Sequence, residues 1–298
     1  MRRVVVACLA ATMLLLTGCV STQPDPPDVV VSGDTGQAPT VTYRTPLSVS
    51  ETVDEEIWPG TGDELVEGQP VLIDFWLEDA TDATLVKESY TSSPTPRLLT
   101  AEALGKDLYD LLLGQHVGAR LLQISPAPGS GAANYPTVTV IDVLNTRADG
   151  EPLPPREGLP VVTLDENGAP SITASADAPP SELVTQPLLR GTGQQVAEGD
   201  TVTVQYSGFS WSTGESFDST WVSGGMPVFF PLDRVPAWSA LVEQPVGSQV
   251  MLVVPPSYSL GATDSEELAG QTIVFVIDIL ATGPTSASAD SDLTGTED

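Results

Sequence analysis

Four aromatic residues and one carboxylate are the candidates for chemistry: Tyr206, the pair Phe217–Asp218, Trp238 and Phe275. Brought together, four rings make an apolar pocket with Asp218 as the single charge at its edge. Such a set can bind and desolvate an apolar ring, but it offers no nucleophile. The other usual catalytic groups are scarce. The chain has two cysteines, Cys8 and Cys19, and one histidine, His116. A lone histidine with no cysteine or second histidine holds no zinc. The acidic runs Asp54-Glu55-Glu56 and Glu266-Glu267 lack EF-hand spacing. No metal and no other cofactor is expected. By residue type alone, the four rings also suit an ordinary core, and Asp218 ahead of Ser219 suits a turn cap.

The elements that must hold these residues are legible by period. Val202, Val204 and Tyr206 alternate with Thr203 and Gln205, a strand with one buried face. Val71, Ile73 and Phe75 do the same earlier in the chain, and the two stretches belong to an internal repeat. Glu67 to Phe75 aligns without a gap on Glu198 to Tyr206. Lys87-Glu88-Ser89-Tyr90 aligns on Gly214-Glu215-Ser216-Phe217, and Val140 to Leu144 on Val276 to Leu280. Matches that keep their order over a domain's length mean two copies of one fold. Between the strands, Thr100 caps a helix that carries Leu104, Leu108, Leu111 and Leu112 on one face and stops at Gly114. Its shorter counterpart is Val235 to Glu243, with Pro236 in the first turn. The expected fold is α+β: two domains, each an antiparallel sheet wrapped on one short α-helix.

The rest of the chain delivers and spaces these domains. Arg2-Arg3, the apolar run Val4 to Leu16 and then Leu16-Thr17-Gly18-Cys19 resemble a bacterial lipoprotein signal, cut before Cys19, whose thiol then takes a diacylglycerol. The expected organisation is a signal peptide (1–18), a flexible tether (19–45), a first domain (46–146), a linker with one hairpin at most (147–181), a second domain (182–280) and a disordered tail (281–298). Two acyl chains suffice for membrane attachment, so the protein is expected at the extracytoplasmic face of a cell membrane, held by a lipid on Cys19. With 40 acidic against 11 basic residues and a net charge of −29, it would repel phosphate backbones. Nucleic acid is excluded as a partner.

The second copy resembles the FKBP-type peptidyl-prolyl cis-trans isomerases. The resemblance rests on Gly191-Thr192-Gly193, on Gly199-Asp200-Thr201-Val202-Thr203-Val204-Gln205-Tyr206-Ser207-Gly208, and on Gly214-Glu215-Ser216-Phe217-Asp218-Ser219. Val235-Pro236-Ala237-Trp238, Val254-Pro255-Pro256 and Thr272-Ile273-Val274-Phe275 extend it. It implies an isomerase acting on proline-containing polypeptides, here on secreted proteins as they fold. In the family pattern Trp238 is the floor under the proline ring, and Tyr206, Phe217 and Phe275 are its walls. Asp218 stands at the rim, and the backbone N–H of Val235 faces the substrate carbonyl. Val228, Phe230 and Leu260 line the substrate side. Two positions depart from the pattern: Val228 stands where Phe is common, and Leu260 where a Tyr normally contacts the substrate carbonyl. These departures leave an alternative, a weakly catalytic or non-catalytic chaperone on the same fold. In the first copy the resemblance puts Phe75, Tyr90 and Tyr109 at the places of Tyr206, Phe217 and Trp238. Thr91 and Thr139 replace Asp218 and Phe275, which makes that copy non-catalytic.

Overall fold

A computed structural model describes residues 28–129, 134–222, 224–258 and 268–285. Cys19 and Leu260 lie outside them. The first unit runs through a hairpin, β1 (Val30–Ser32) and β2 (Thr40–Thr42), then β3 (Val53–Trp58), β4 (Pro70–Asp79), β5 (Thr84–Glu88), β6 (Thr95–Leu98), α1 (Ala101–Leu104), α2 (Lys106–Leu112), β7 (Arg120–Ser125) and β8 (Thr137–Leu144). The second repeats the plan with β9 (Glu151–Pro152), β10 (Val161–Leu164), β11 (Pro170–Thr173), β12 (Val184–Arg190), β13 (Asp200–Ser210), β14 (Ser216–Ser219), β15 (Val228–Pro231), β16 (Gln249–Val254) and β17 (Ile273–Pro284). The sheet orders correspond: β3-β7-β8-β4-β5 with β6 on β4, and β12-β16-β17-β13-β14 with β15 on β13 and β9 outside β12. Two α+β units are present, as the repeat requires.

Period 2 sorts each strand between two covers. On one face of the second sheet Val202, Val204 and Tyr206 meet Trp238, Leu241, Leu252 and Ile277 in the core. On the other, Trp211, Val253 and Val274 pack against Val162 and Ile172, one from each strand of the β10–β11 hairpin. The first unit does the same with Leu122, Val138 and Val140 under Val31 and Val41 of β1–β2. Val162 and Ile172 stand as far from Val31 and Val41 as Tyr206 stands from Phe75. The covering hairpin is thus part of the repeat.

This corrects three boundaries. The expected tether is folded from Val30 to Thr42, and the expected linker contributes β9, β10 and β11. The tail begins later than Ala281, because β17 continues to Pro284 opposite Asp200. The physical reason is coverage: a sheet buried on both faces needs a second layer, and β13 needs a partner along its whole length. The helical segments differ as well. The first breaks at Gly105 (φ 78°) into α1 and α2, with Thr100 Oγ1 accepting from Ala103 N as its cap. The second winds as a 3-10 helix, Pro236–Leu241, and closes at Glu243 (φ 69°).

Each unit fastens its N-terminal segment to a buried aspartate. Arg120, fully buried, donates to both Asp142 oxygens at 2.7 Å and to the carbonyls of Gly33, Asp34 and Gln37. Gly36 N also donates to Asp142. In the second unit Gln249 and Asp278 hold the paired positions, and Asp278 accepts from Gln249 Nε2 and from Ala148 N, each at 2.8 Å. The units touch through the Asp63–Arg147 ion pair and at Gly283, where an added Cβ would stand 2.7 Å from the Ser92 carbonyl oxygen.

Candidate functional site

Strand β13 is the spine of the site. It turns Tyr206 into the core and pairs with β17 so that Gly208 lies opposite Phe275. On its other edge Gly208 lies opposite Asp218 of β14, and Phe209 opposite Ser216. Phe217 is therefore the extra residue of a bulge, which re-aims its side chain. Its ring lies across Gly208: a Cβ there would stand 2.5 Å from Phe217 Cζ. Glycine at 208 is what lets the ring rest against the strand.

The 3-10 helix places the floor. It starts at Pro236, where a missing N–H costs nothing, and Trp238 N donates to Val235 O at 2.7 Å. That tight turn drives the indole inward until Trp238 is 1% exposed. Its ring centroid lies 5.3 Å from those of Tyr206 and Phe230 and 5.9 Å from that of Phe275, at interplanar angles of 76°, 83° and 86°. Phe217 stands edge-on to Phe275 at 6.1 Å and is 36% exposed, forming the lip. Edge-to-face packing sets the positive rim of one ring on the negative face of the next. Val228 and Phe230 of β15 pack against this cluster, and Val235 is buried beside it. The structure therefore assembles eight of the sequence candidates: Tyr206, Phe217, Asp218, Val228, Phe230, Val235, Trp238 and Phe275. The remaining substrate-side candidate, Leu260, falls outside the described residues.

One polar link crosses the cluster. Tyr206 Oη donates to Asp218 Oδ2 at 2.6 Å. Burial first, and then this bond to a carboxylate, push the tyrosine hydroxyl upward, so it stays protonated and donating. Trp238 Nε1 is buried without a hydrogen-bond partner among the described residues. An orphaned donor of this kind costs about 1–3 kcal/mol.

Thr220 was not among the sequence candidates, yet it fixes Tyr206. Tyr206 N donates to Thr220 Oγ1 at 3.0 Å, Thr220 N donates to Tyr206 O at 3.0 Å, and Thr220 Oγ1 donates to Gln205 Oε1. The first unit repeats the arrangement: Phe75 N donates to Ser89 Oγ, Ser89 N to Phe75 O, and Ser89 Oγ to Asp74 Oδ1. Ser89 thus stands for Thr220, and the signal was the preserved spacing from Phe75 to Ser89.

That register corrects the expected counterparts. Lys87, opposite Leu77, occupies the place of Asp218, and Val86 in the β5 bulge occupies that of Phe217. Tyr90 and Thr91 do not. Phe75 and Thr139 keep the positions expected of them, facing Ile141 and Leu77. Arg97, opposite Val71, takes the place of Phe230, opposite Val202. The Lys87 ammonium lies 6.0 Å from the Phe75 ring centroid.

A family model for FKBP-type peptidyl-prolyl cis-trans isomerase matches residues 192–280, the stretch that carries this cluster. A probable FK506-binding protein of Corynebacterium glutamicum is 34% identical over 115 residues, 38% of this chain and 97% of that relative. The chain belongs to the FKBP-type family. An FK506-binding protein of Streptomyces anulatus is 31% identical over 119 residues, 38% of this chain and 95% of its own. Among solved structures, a putative peptidyl prolyl cis-trans isomerase, FKBP12 from Mycobacterium tuberculosis, is 33% identical over 36% of this chain and 88% of that one, with a TM-score of 0.28. The FKBP-type match falls within the second unit, where the four rings and the carboxylate meet.

Proposed function

We propose that the second unit is a working peptidyl-prolyl isomerase that acts outside the cell membrane on folding, proline-containing polypeptides. The observation that carries this reading is the Tyr206–Asp218 bond set over the Trp238 floor. Rotation about an Xaa–Pro bond meets a barrier of about 18–20 kcal/mol, because the planar amide is resonance-stabilised. The twisted transition state has less charge separation than the planar amide. An apolar, water-poor pocket favours it relative to the hydrated ground state. Trp238 and Phe275 supply the apolar wall, and Tyr206, held by Asp218, keeps its hydroxyl from competing for the proline ring. Nothing in this chemistry calls for a nucleophile or a proton shuttle. Uncatalysed isomerisation takes tens of seconds or longer, slow enough to limit folding.

The location follows from the signal-like first residues, with Cys19 as the lipidated position. Mass spectrometry of the mature N-terminus should find a diacylglyceryl group on Cys19, and Cys19→Ser should release the protein from membranes. Isomerase activity is tested with the full chain on a short Xaa–Pro peptide in a protease-coupled assay. A rate above background that falls in Phe217→Ala supports the reading. A folded chain with no rate leaves the chaperone alternative, for which Leu260 in place of the usual Tyr is the sequence observation.

A further inference from the structure

A cleft of about 660 Å³ opens between the two units, on the side of the second sheet away from the aromatic cluster. Two aliphatic side chains stand in water at its walls: Val222, 84% exposed, and Val66, 54% exposed. Trp221 also lines the cleft, its ring against Gly168 of the hairpin turn. Uncovered apolar surface of this kind at the wall of a concavity marks a binding groove.

The charges on the rim say what would fill it. Glu64 and Glu166 line the cleft, and neither forms an ion pair among the described residues. Arg147, the lining cation, is taken up by Asp63, and the Asp165 carboxylate accepts from the turn N–H groups of Asn167 and Ala169. Two carboxylates thus remain for a ligand, within the field of a chain of net charge −29. Low-dielectric walls focus such a field, drawing cations and turning anions away. A Lys or Arg side chain matches both halves of the groove, because its methylene stem covers Val222 and Trp221 while its head reaches a carboxylate.

The cleft also shares a wall with the aromatic cluster. On β14, Ser216 and Ser219 line the cleft, while Phe217 and Asp218 between them belong to the pocket. A chain lying in the cleft therefore runs within a few residues of the prolyl site. Tethered next to that site, a proline is presented at high effective concentration.

We infer that the cleft is a docking groove for extended, unfolded polypeptide segments in which Lys or Arg alternates with aliphatic residues, and that it feeds such chains to the neighbouring pocket. The second half of this inference rests on the isomerase reading; the first does not. The test uses the full chain and a short labelled peptide of alternating Lys and Leu, without proline, read by fluorescence anisotropy at low salt. The peptide is expected to bind, its affinity to fall about tenfold in Glu64→Lys/Glu166→Lys, and a Glu/Leu peptide of the same length not to bind. In a kinetic arm, the double variant should leave kcat/KM for a short Xaa–Pro peptide unchanged and lower it about tenfold for the same sequence carrying the Lys/Leu arm. Binding of the Lys/Leu peptide that survives the double substitution in a folded protein, or equal binding of the acidic peptide, overturns the groove. A short peptide that is never turned over, with Lys/Leu binding intact, overturns the isomerase reading alone. Val222→Asp is the second variant, expected to weaken aliphatic-rich peptides without reversing the charge preference.

Discussion

Where the second unit sets Tyr206 against Asp218, the first sets Phe75 under Lys87. Around that exchange Phe230 becomes Arg97, Phe217 becomes Val86 and Phe275 becomes Thr139. The strands around the two hollows match in register, so apart from the helical segment, α-helical in the first unit and 3-10 in the second, the difference lies in side chains. A sheet with a hairpin on one face and a helical turn on the other is stable whichever residues fill the hollow. A desolvated prolyl site additionally needs large rings with no cation among them. The first unit carries cations at two of these positions, Lys87 and Arg97, and the Lys87 ammonium over Phe75 would draw water into the space that isomerisation requires to be dry.

The comparison can be broken most forcefully at the buried latch. Arg120 and Asp142 form a fully buried ion pair, whereas Gln249 and Asp278 form a charge–amide bond. Arg120→Met leaves Asp142 without its cation and three hairpin carbonyls without their donor. The expected cost is about 3–5 kcal/mol, confined to the first unit, because a lone buried charge is far worse than none. Gln249→Met removes one hydrogen bond from a carboxyl that can take up a proton, at about 1–3 kcal/mol. Urea unfolding of the two variants decides between them, and equal costs would show that the pair is not a charge latch.

A second contrast is Asp74 against Gln205, each accepting from the hydroxyl that fixes the pocket strand. Burial raises the Asp74 carboxyl to about 6; Ser89 opposes this through its hydrogen bond, while Asp142 and Glu88 add to it. The folded chain thus holds this proton more tightly than the unfolded chain, whose carboxyl titrates near the ordinary value of 3.8. Its contribution to stability is full below about pH 4 and is lost as pH rises through about 6. Asp74→Asn keeps an acceptor for Ser89 and removes the charge. It should be more stable than the parent at pH 7.5 by up to about 3 kcal/mol, with the gap closing by pH 4. A gap that does not change between those pH values would mean that Asp74 does not titrate in this window.

Copying the first pocket into the second sharpens the functional side. Asp218→Lys removes the acceptor of Tyr206 and sets an ammonium beside the rings. A hydrogen bond to a charged group contributes about 1.5–3 kcal/mol, so kcat/KM for a prolyl peptide should fall about ten- to hundredfold. The reverse change, Phe75→Tyr with Lys87→Asp, should create no activity while Arg97 and Thr139 remain. Activity gained by the pair would move the essential difference away from the rings.

The sequence and the structure part company at identifiable places. The strands around Val202 and Val71, the two-domain repeat and the aromatic set were all readable, because period 2 and motif order survive in one dimension. The counterpart of Phe217 was not. Glu88-Ser89-Tyr90 looks like Glu215-Ser216-Phe217, and letter likeness outweighed spacing, whereas the β4–β5 ladder enforces spacing and selects Val86. The β1–β2 hairpin was hidden by its turn, and the β10–β11 hairpin, expected only within a linker, was not recognised as a cover of the second sheet. Asp34 to Pro39 and Asp165 to Pro170 have the composition of linkers, yet Asp-x-x-x-Ala-Pro recurs in both at the repeat spacing. The last residues of β17 were hidden in the same way, since Ala281-Thr282-Gly283-Pro284 carries little apolar signal and is ordered by pairing with β13.

The smallest contrast tests the backbone itself. Gly114 (φ 79°) and Glu243 (φ 69°) close the two helical segments in the same left-handed conformation, donating to Leu65 O and Val196 O respectively. An L-residue with a Cβ pays roughly 1–2 kcal/mol in that region, and glycine pays no such steric cost. Glycine also has more freedom to lose on folding, so the net gain is smaller. Glu243→Gly should stabilise the second unit by about 0.5–1 kcal/mol, raising its melting temperature by a few degrees. Gly114→Glu should destabilise the first by a similar amount. Because both substitutions act at a turn that precedes Val117-Gly118 and Val246-Gly247 and touches no pocket ring, neither should change prolyl turnover. Opposite signs in the two melts, with turnover constant, would show the two turns to be interchangeable and leave the pocket side chains as the difference that matters. Equal signs would mean that the Glu243 side chain makes contacts the glycine cannot replace.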